Sequence, residues 1–325
     1  RMKRRGQIDV AVVGGGLVGA ACALVLAREG LEVMLVEGRE PPRWSPSQPD
    51  LRVYAFAPDN AALLDAAGVW DAVRDARAQP YRRMRVWDAA GGDELRFDAD
   101  ALGRAQLGWI VENALLVDRL WAALPAAGVQ VRCPARVEAM EQDADGVTLR
   151  LDDGTRIDAR LAVAADGGDS TLRRLAGLEV AAHDYAQRGV VAFVRTGEPH
   201  EDTAWQRFLP SGPLAFLPFA DGLSSIVWTL PDAEAERVLA LDEASFGREL
   251  TQAMGGQRGE VALASPRAAF PLKRQLARDY VAGRVIVAGD AAHVVHPLAG
   301  QGVNLGLRDV AALRDGIRAA TAKRA

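Results

Sequence analysis

The chain has 325 residues, of which 49% are hydrophobic and 25% charged. That is a globular composition with apolar material for one large domain or two ordinary ones. A formal charge of −4 excludes a mainly electrostatic grip on nucleic acid, and two cysteines 111 positions apart exclude a CxxC dithiol or a zinc-like spacing.

The N-terminus imitates an export signal. Arg1, Lys3, Arg4 and Arg5 precede an uncharged run over 10–27. Gly14, Gly15, Gly16 and Gly19 within that run argue against a spanning or secretory helix. A cytoplasmic location is expected, and the reducing cytosol suits the cysteine usage.

Ile8 to Val13 reads as a buried parallel strand, followed at once by Gly14-x-Gly16-x-x-Gly19. Leu17, Ala20, Ala21, Leu24 and Val25 then recur at helical spacing up to Gly30, and Val33–Val36 is a second strand closed by Glu37. Gly14 permits the tight turn, Gly16 lets the backbone approach a pyrophosphate, and Gly19 lets helix and strand pack closely. The helix start offers free N–H groups to phosphate. Glu37 stands where an acid holds ribose hydroxyls, which favours FAD or NAD over NADP. No second GxGxxG follows a strand, unlike enzymes that bind FAD and NAD(P)H in separate dinucleotide domains.

Helices are expected over 60–67 and 114–123, and short strands over 129–131, 137–140, 147–151 and 156–157. A further strand over 161–165 runs into Asp166-Gly167 and a helix carrying Leu172 and Leu175, which suggests another cofactor contact. From His183 to Phe270 the character changes. Strands over 190–194, 205–209, 214–217 and 224–230, separated by turns, suggest an antiparallel sheet in a second domain. Its aromatics are core, or line an apolar substrate pocket.

The last motif is GDAAHVVHPLAGQGVNLG over 289–306. Asp290 ends the strand over 284–288, at the side of a parallel sheet where ligands bind. Gly300-Gln301-Gly302 leads into a helix marked by Val303, Leu307, Val310 and Leu313. A metal site at His293 and His296 lacks ligands, since His183 and His200 are the only other histidines and Pro297 breaks a regular helix there. Structural roles are expected for both histidines, and no metal.

Three segments together resemble the FAD-contact motifs of flavin-dependent aromatic hydroxylases: DVAVVGGGLVGAACALVLAREGLEVMLVE, LAVAADGGDSTLRRLAG and GRVIVAGDAAHVVHPLAGQGVNLG. DLRVYAFAPDNAALLDAAGVWD, LGWIVEN and TAWQRFLPSGPLAFLPFADGLSSIVWTLP narrow the resemblance to the ubiquinone-biosynthesis ring hydroxylases. The resemblance implies an α/β fold of the para-hydroxybenzoate hydroxylase type. In it a Rossmann-like FAD-binding domain (1–75, 105–178 and 271–325) carries an inserted antiparallel substrate domain (76–104 and 179–270).

By the same resemblance Gly14, Gly16, Gly19 and Glu37 hold the ADP half of FAD, and Arg52 lies near the cofactor. Asp166 and Gly167 handle FAD and NAD(P)H, and Asp290 meets the ribityl and phosphate region. Pro297, Gly300, Gly302 and Asn304 border the isoalloxazine ring, with Pro297 and Gly302 the candidates beside it and no catalytic side chain assigned. The implied reaction is ring hydroxylation of a polyprenylated phenol or quinol with NAD(P)H and O2, through a flavin C4a-hydroperoxide. It requires no protein acid–base pair. A ubiquinone-biosynthesis complex and peripheral contact with the inner membrane are implied partners. The rival readings are an isoprenoid reductase or epoxidase of the same fold, and a non-catalytic FAD-binding subunit.

Overall fold

The computed structural model describes residues 6–296 and 302–323. Ile8–Val13 is the centre of an eight-stranded sheet. Val33–Val36 and Arg156–Ala164 flank it in parallel, and Gln130–Arg132 and Val285–Val287 extend the parallel set outward. Alternate residues of these strands face opposite sides. Val10, Val12 and Leu35 pack under the helices Leu17–Arg28, Asn113–Ala123 and Gly302–Ala322. Ala11, Val13 and Met34 face the antiparallel strands Val137–Gln142 and Val147–Leu151. Burial on both faces explains the continuous apolar runs in the sequence.

A second, nine-stranded sheet runs in the order Val180–Thr196, Ser224–Pro231, Gly212–Pro218, Thr203–Leu209, Arg83–Asp88, Leu95–Asp98, with Ala268–Ala277 and His293–Val294 beyond its other side. Its outer face packs under the helices Asp232–Ala240 and Glu243–Ala253. Its inner face meets the three-stranded sheet formed by Val53–Phe56, Gly108–Glu112 and Gln79–Tyr81, around Ile110, Phe193, Leu217 and Phe219.

Several strands differ from the sequence expectation, which had none over 79–112 or 261–282. The stretches expected over 156–157 and 161–165 are one strand, Arg156–Ala164, whose first half pairs with Val147–Leu151 and whose second half pairs with Ile8–Val13. The strand expected over 190–194 begins at Val180, and residues 181–184 are exposed and give no apolar signal. A bulge between Asp184 and Gln187, with Ala186 at φ 51°, breaks its alternation. Ala268–Ala277 continues the second sheet past residue 271, and its ladder with Val180–Thr196 runs to Ala277.

The final helix, Gly302–Ala322, closes the first layer by lying along Leu17–Arg28. The contact is close because Gly306 lacks a side chain. A Cβ there would sit 2.6 Å from Val18 Cγ2 and 3.2 Å from the Gly289 Cα. Gly316, on the same helix, faces open space. Gly306→Ala is therefore expected to destabilise the fold by about 1–3 kcal/mol. Gly316→Ala is expected to stabilise it by ~0.5–1 kcal/mol. Urea unfolding of both variants checks the pair, and equal effects would contradict the packing described.

Candidate functional site

Three parallel neighbours, Val285–Val287, Arg156–Ala164 and Ile8–Val13, deliver their carboxyl ends to one edge of the sheet. Asp290, Asp166 and the first glycine loop are thereby brought together, a side-by-side arrangement that residues so far apart in the chain do not announce.

The glycines of the loop divide their work. Gly14 takes φ 105°, and a Cβ on it would overlap the Ala165 carbonyl; a Cβ on Gly19 would overlap the Gly14 carbonyl. Both exist for backbone packing. Gly16, in contrast, is exposed, has extended backbone and faces nothing within 4 Å. It starts the helix Leu17–Arg28 without any side-chain cap, so the first N–H groups have no capping side chain. Glu37 accepts a hydrogen bond from the Gly15 N–H at 2.5 Å through Oε2 and from the Arg39 N–H at 3.0 Å through Oε1. Trp121 Nε1 donates to the Gly15 carbonyl at 2.8 Å, walling the loop from the side. Sequence reasoning missed Trp121, because one tryptophan on a largely apolar helix looks like core.

Asp166 is held at the start of the helix Thr171–Leu175. Its Oδ1 accepts from the Ser170 hydroxyl and its Oδ2 from the Leu172 N–H at 3.2 Å. Gly167 follows at φ 85° with open space where a side chain would be. Asp290 is exposed in the turn Gly289–Ala291. Arg52 is also exposed, and its charge and that of Asp290 both act on Tyr54, so the two face one tyrosine. Burial pushes the Tyr54 hydroxyl up to about 12, and that hydroxyl donates to Asn113 Oδ1 at 3.0 Å.

The closing motif is fastened by side chains rather than opened by them. Asn304 is buried; its Oδ1 accepts from the Ala57 N–H and from Asn60 Nδ2, and its Nδ2 donates to the Ala55 carbonyl at 2.8 Å. Both ends of the amide are engaged in locking the helix start to residues 55–60. Gly302, the first residue of that helix, faces nothing within 4 Å. Pro297 and Gly300 lie outside the described residues.

The two histidines separate. His293 is buried, and its Nε2 lies 2.6 Å from Asp309 Oδ2, an oxygen that also accepts from the Gly289 N–H at 2.9 Å. One carboxylate thus joins the turn bearing Asp290 to the final helix. His296 stands edge-on to Tyr185, with ring centroids 5.7 Å apart. Its Nδ1 is buried without a partner among the described residues, and burial pulls its pKa down. Among the described residues, no group of three or more His, Cys, Asp or Glu side chains is placed to hold a metal.

A second missed feature is the fully buried carboxylate of Glu112. It accepts from Arg77 Nε at 2.7 Å, Trp44 Nε1 at 3.2 Å and the Asp50 N–H at 2.8 Å. The Arg77 guanidinium lies over the rings of both Trp44 and Phe219. This network pins the segment leading to Arg52 against the second sheet.

A glycine loop with one open glycine and an uncapped helix start lie with Asp166 and the exposed Asp290 at one edge of the first sheet, and the exposed Arg52 leads into the three-stranded sheet; this is the candidate cleft for a dinucleotide. The chain belongs to the FAD binding domain family, whose model matches residues 7–324. It is 42% identical to the 3-demethoxyubiquinol 3-hydroxylase of Escherichia coli (strain K12), over 94% of this chain and 78% of that protein. It is 39% identical to the ubiquinone hydroxylase UbiL of Rhodospirillum rubrum, over 96% of this chain and 72% of that protein. In fold it resembles the p-nitrophenol 4-monooxygenase PnpA of Pseudomonas putida DLL-E4, with a TM-score of 0.75 at 25% identity over 100% of this chain and 82% of that one.

The His293–Asp309 pair makes a pH prediction. The hydrogen bond to Asp309 raises the His293 pKa, against the opposing effect of burial, with Asp290 and Tyr280 the other titratable groups nearby. A raised histidine stabilises the fold fully below its unfolded value and loses that contribution as pH climbs through its folded value. The stability advantage of the wild type over Asp309→Asn should therefore shrink as pH rises from about 6 upward. Denaturant unfolding across pH measures it; an advantage that grows with pH would contradict the pairing.

Proposed function

We propose that this chain is an FAD-dependent monooxygenase that hydroxylates the ring of a polyprenylated phenol or quinol in ubiquinone biosynthesis, with NAD(P)H and O2 as co-substrates. The observation that carries the reading is the open approach at Gly16, with the uncapped N–H groups of Leu17–Arg28 behind it. That geometry fits a pyrophosphate. The names of the two ubiquinone-pathway relatives supply the substrate class.

In this reading Gly14 and Gly19 shape the loop, Gly16 meets the pyrophosphate and Glu37 holds the adenosine ribose. Arg52, Asp166, Gly167 and Asp290 line the path towards the flavin ring. The helix starting at Gly302 offers backbone N–H groups to negative charge on that ring, and Pro297, Gly300 and Asn304 complete the loop beside it. Bound FAD supplies the redox chemistry that activates O2. The chain's own residues bind and orient, and the apolar inner face of the second sheet keeps water from the reacting atoms. The first sheet with its helices serves as the cofactor domain, over 1–75, 105–178 and 271–325. The second serves the substrate, over 76–104 and 179–270, and takes strand residues 271–277 and 293–294 from the cofactor domain. Among the described residues no helix is long and apolar enough to cross a membrane. We place the enzyme in the cytoplasm, in peripheral contact with the inner membrane and with a ubiquinone-biosynthesis complex.

Gly16→Val separates the cofactor role from folding. The open space at Gly16 leaves the apoprotein stability within about 0.5 kcal/mol of wild type, whereas the added side chain blocks the phosphate. FAD affinity should fall at least about a hundredfold, or ~2.7 kcal/mol, by flavin fluorescence titration. Unchanged FAD affinity would contradict the assignment. With wild type, NAD(P)H oxidation and O2 uptake should both rise on adding the quinol substrate; product formed without O2 uptake would refute the monooxygenase reading.

A further inference from the structure

Gly14, Gly15 and Gly16 follow one another in the first loop. Glycine loses more conformational freedom on ordering than any other residue, so a run of three keeps one shape only if it is held from outside. Each of the two peptide units in the run is held by one side chain. In the Gly14–Gly15 unit, the N–H donates to Glu37 Oε2 at 2.5 Å. The carbonyl of that unit lies where a Cβ on Gly19 would overlap it, against the helix Leu17–Arg28. In the Gly15–Gly16 unit, the carbonyl accepts from Trp121 Nε1 at 2.8 Å.

The second tether has a directional consequence. A trans peptide is planar, with its C=O and N–H directed to opposite sides. The Gly15–Gly16 bond is trans. By holding the carbonyl, Trp121 turns the Gly16 N–H away from itself. Gly15 is buried and Gly16 exposed, and among the described residues no acceptor is paired with the Gly16 N–H.

The fit around Gly15 is close on both sides. A Cβ there would lie 2.6 Å from Trp121 Cζ2 and 3.0 Å from Glu37 Cβ, so glycine is what lets both side chains reach the loop. Trp121 comes from the last turn of the helix Asn113–Ala123, 106 positions along the chain from Gly15. Leu116, Val117 and Leu120 bury that helix in the core, whereas Trp121 is half-buried. An indole has a single N–H and no acceptor. That N–H is committed to the Gly15 carbonyl, so Trp121 reaches a phosphate only through the peptide it holds.

We infer that Trp121 is a positioning residue of the FAD site, which aims the Gly16 N–H at the pyrophosphate. The inference rests on the reading of Gly16 as the pyrophosphate contact.

The test compares Trp121→Phe with wild type as apoproteins. Phenylalanine keeps an aromatic wall beside the loop and removes the donor. FAD is titrated by flavin fluorescence, with ADP and adenosine as competitors. FAD and ADP share the pyrophosphate, and both should bind about tenfold more weakly, as the loss of one aligned hydrogen bond implies. Adenosine carries no phosphate and should compete as it does with wild type, a split that a merely structural role does not produce. Wild-type affinity for FAD and ADP would overturn the inference. An equal loss for adenosine would overturn it too, since the indole would then pack on the nucleoside or hold the fold. Should Trp121→Phe fail to fold, benzothienylalanine at position 121 keeps the indole shape without the N–H, and the same titrations and outcomes apply. Gly16→Val tells the two readings apart. If it leaves FAD affinity unchanged, the pyrophosphate reading fails and takes the inference with it. If it removes FAD binding while Trp121→Phe has no effect, that reading stands and the positioning role falls.

Discussion

The carbonyl of Gly14 lies where a side chain on Gly19 would be, and that exclusion sets the rest of the molecule. It lets the helix Leu17–Arg28 descend onto the central strands and aims its uncapped start at the sheet edge. The next contacts build on it. Val18, the second residue of that helix, fills the space left by Gly289 and Gly306, so the closing motif and the final helix dock on the first. Asn304 and Asp309 then fix that helix from both sides, one tied to residues 55–60 and the other to Gly289 and His293. The cleft is a by-product of close backbone packing among segments nearly 300 residues apart.

This arrangement explains why so few side chains at the site are free. Asp166, Asn304, His293 and Glu112 all spend their polar atoms inside the protein. What faces outward is backbone at Gly16, Gly167 and Gly302, together with the charges of Arg52 and Asp290. Such a surface of backbone groups suits binding and orienting, and the His293–Asp309 pair serves to join the Asp290 turn to the final helix. That matches a reaction whose difficult steps belong to a bound cofactor.

The parts legible in the sequence were those set by local sterics. The strand–glycine–helix–strand–Glu37 run could be read because each residue's role depends on neighbours within thirty positions or so. The Asp166 and Asp290 strand ends were legible as places where a parallel sheet meets a ligand, and the family resemblance supplied which ligand. Asn304 shows the limit: its partners lie 244 to 249 positions away, and no local pattern encodes an amide saturated by them. Arg77 and Glu112 were invisible for a different reason, since charged residues are rarely buried and only their pairing permits it. The first half of Val180–Thr196 was missed because exposed residues and a bulge erase the alternation on which strand reading depends.

The central claim is that this cleft, once it holds FAD, inserts one atom of molecular oxygen into an aromatic ring. Mass spectrometry of the product formed under isotopically labelled O2 in unlabelled water tests it most directly. The account predicts a single labelled oxygen atom on the ring, and none when the label is in the water instead. A product that takes its new oxygen from water, or that forms in the absence of O2, would contradict it.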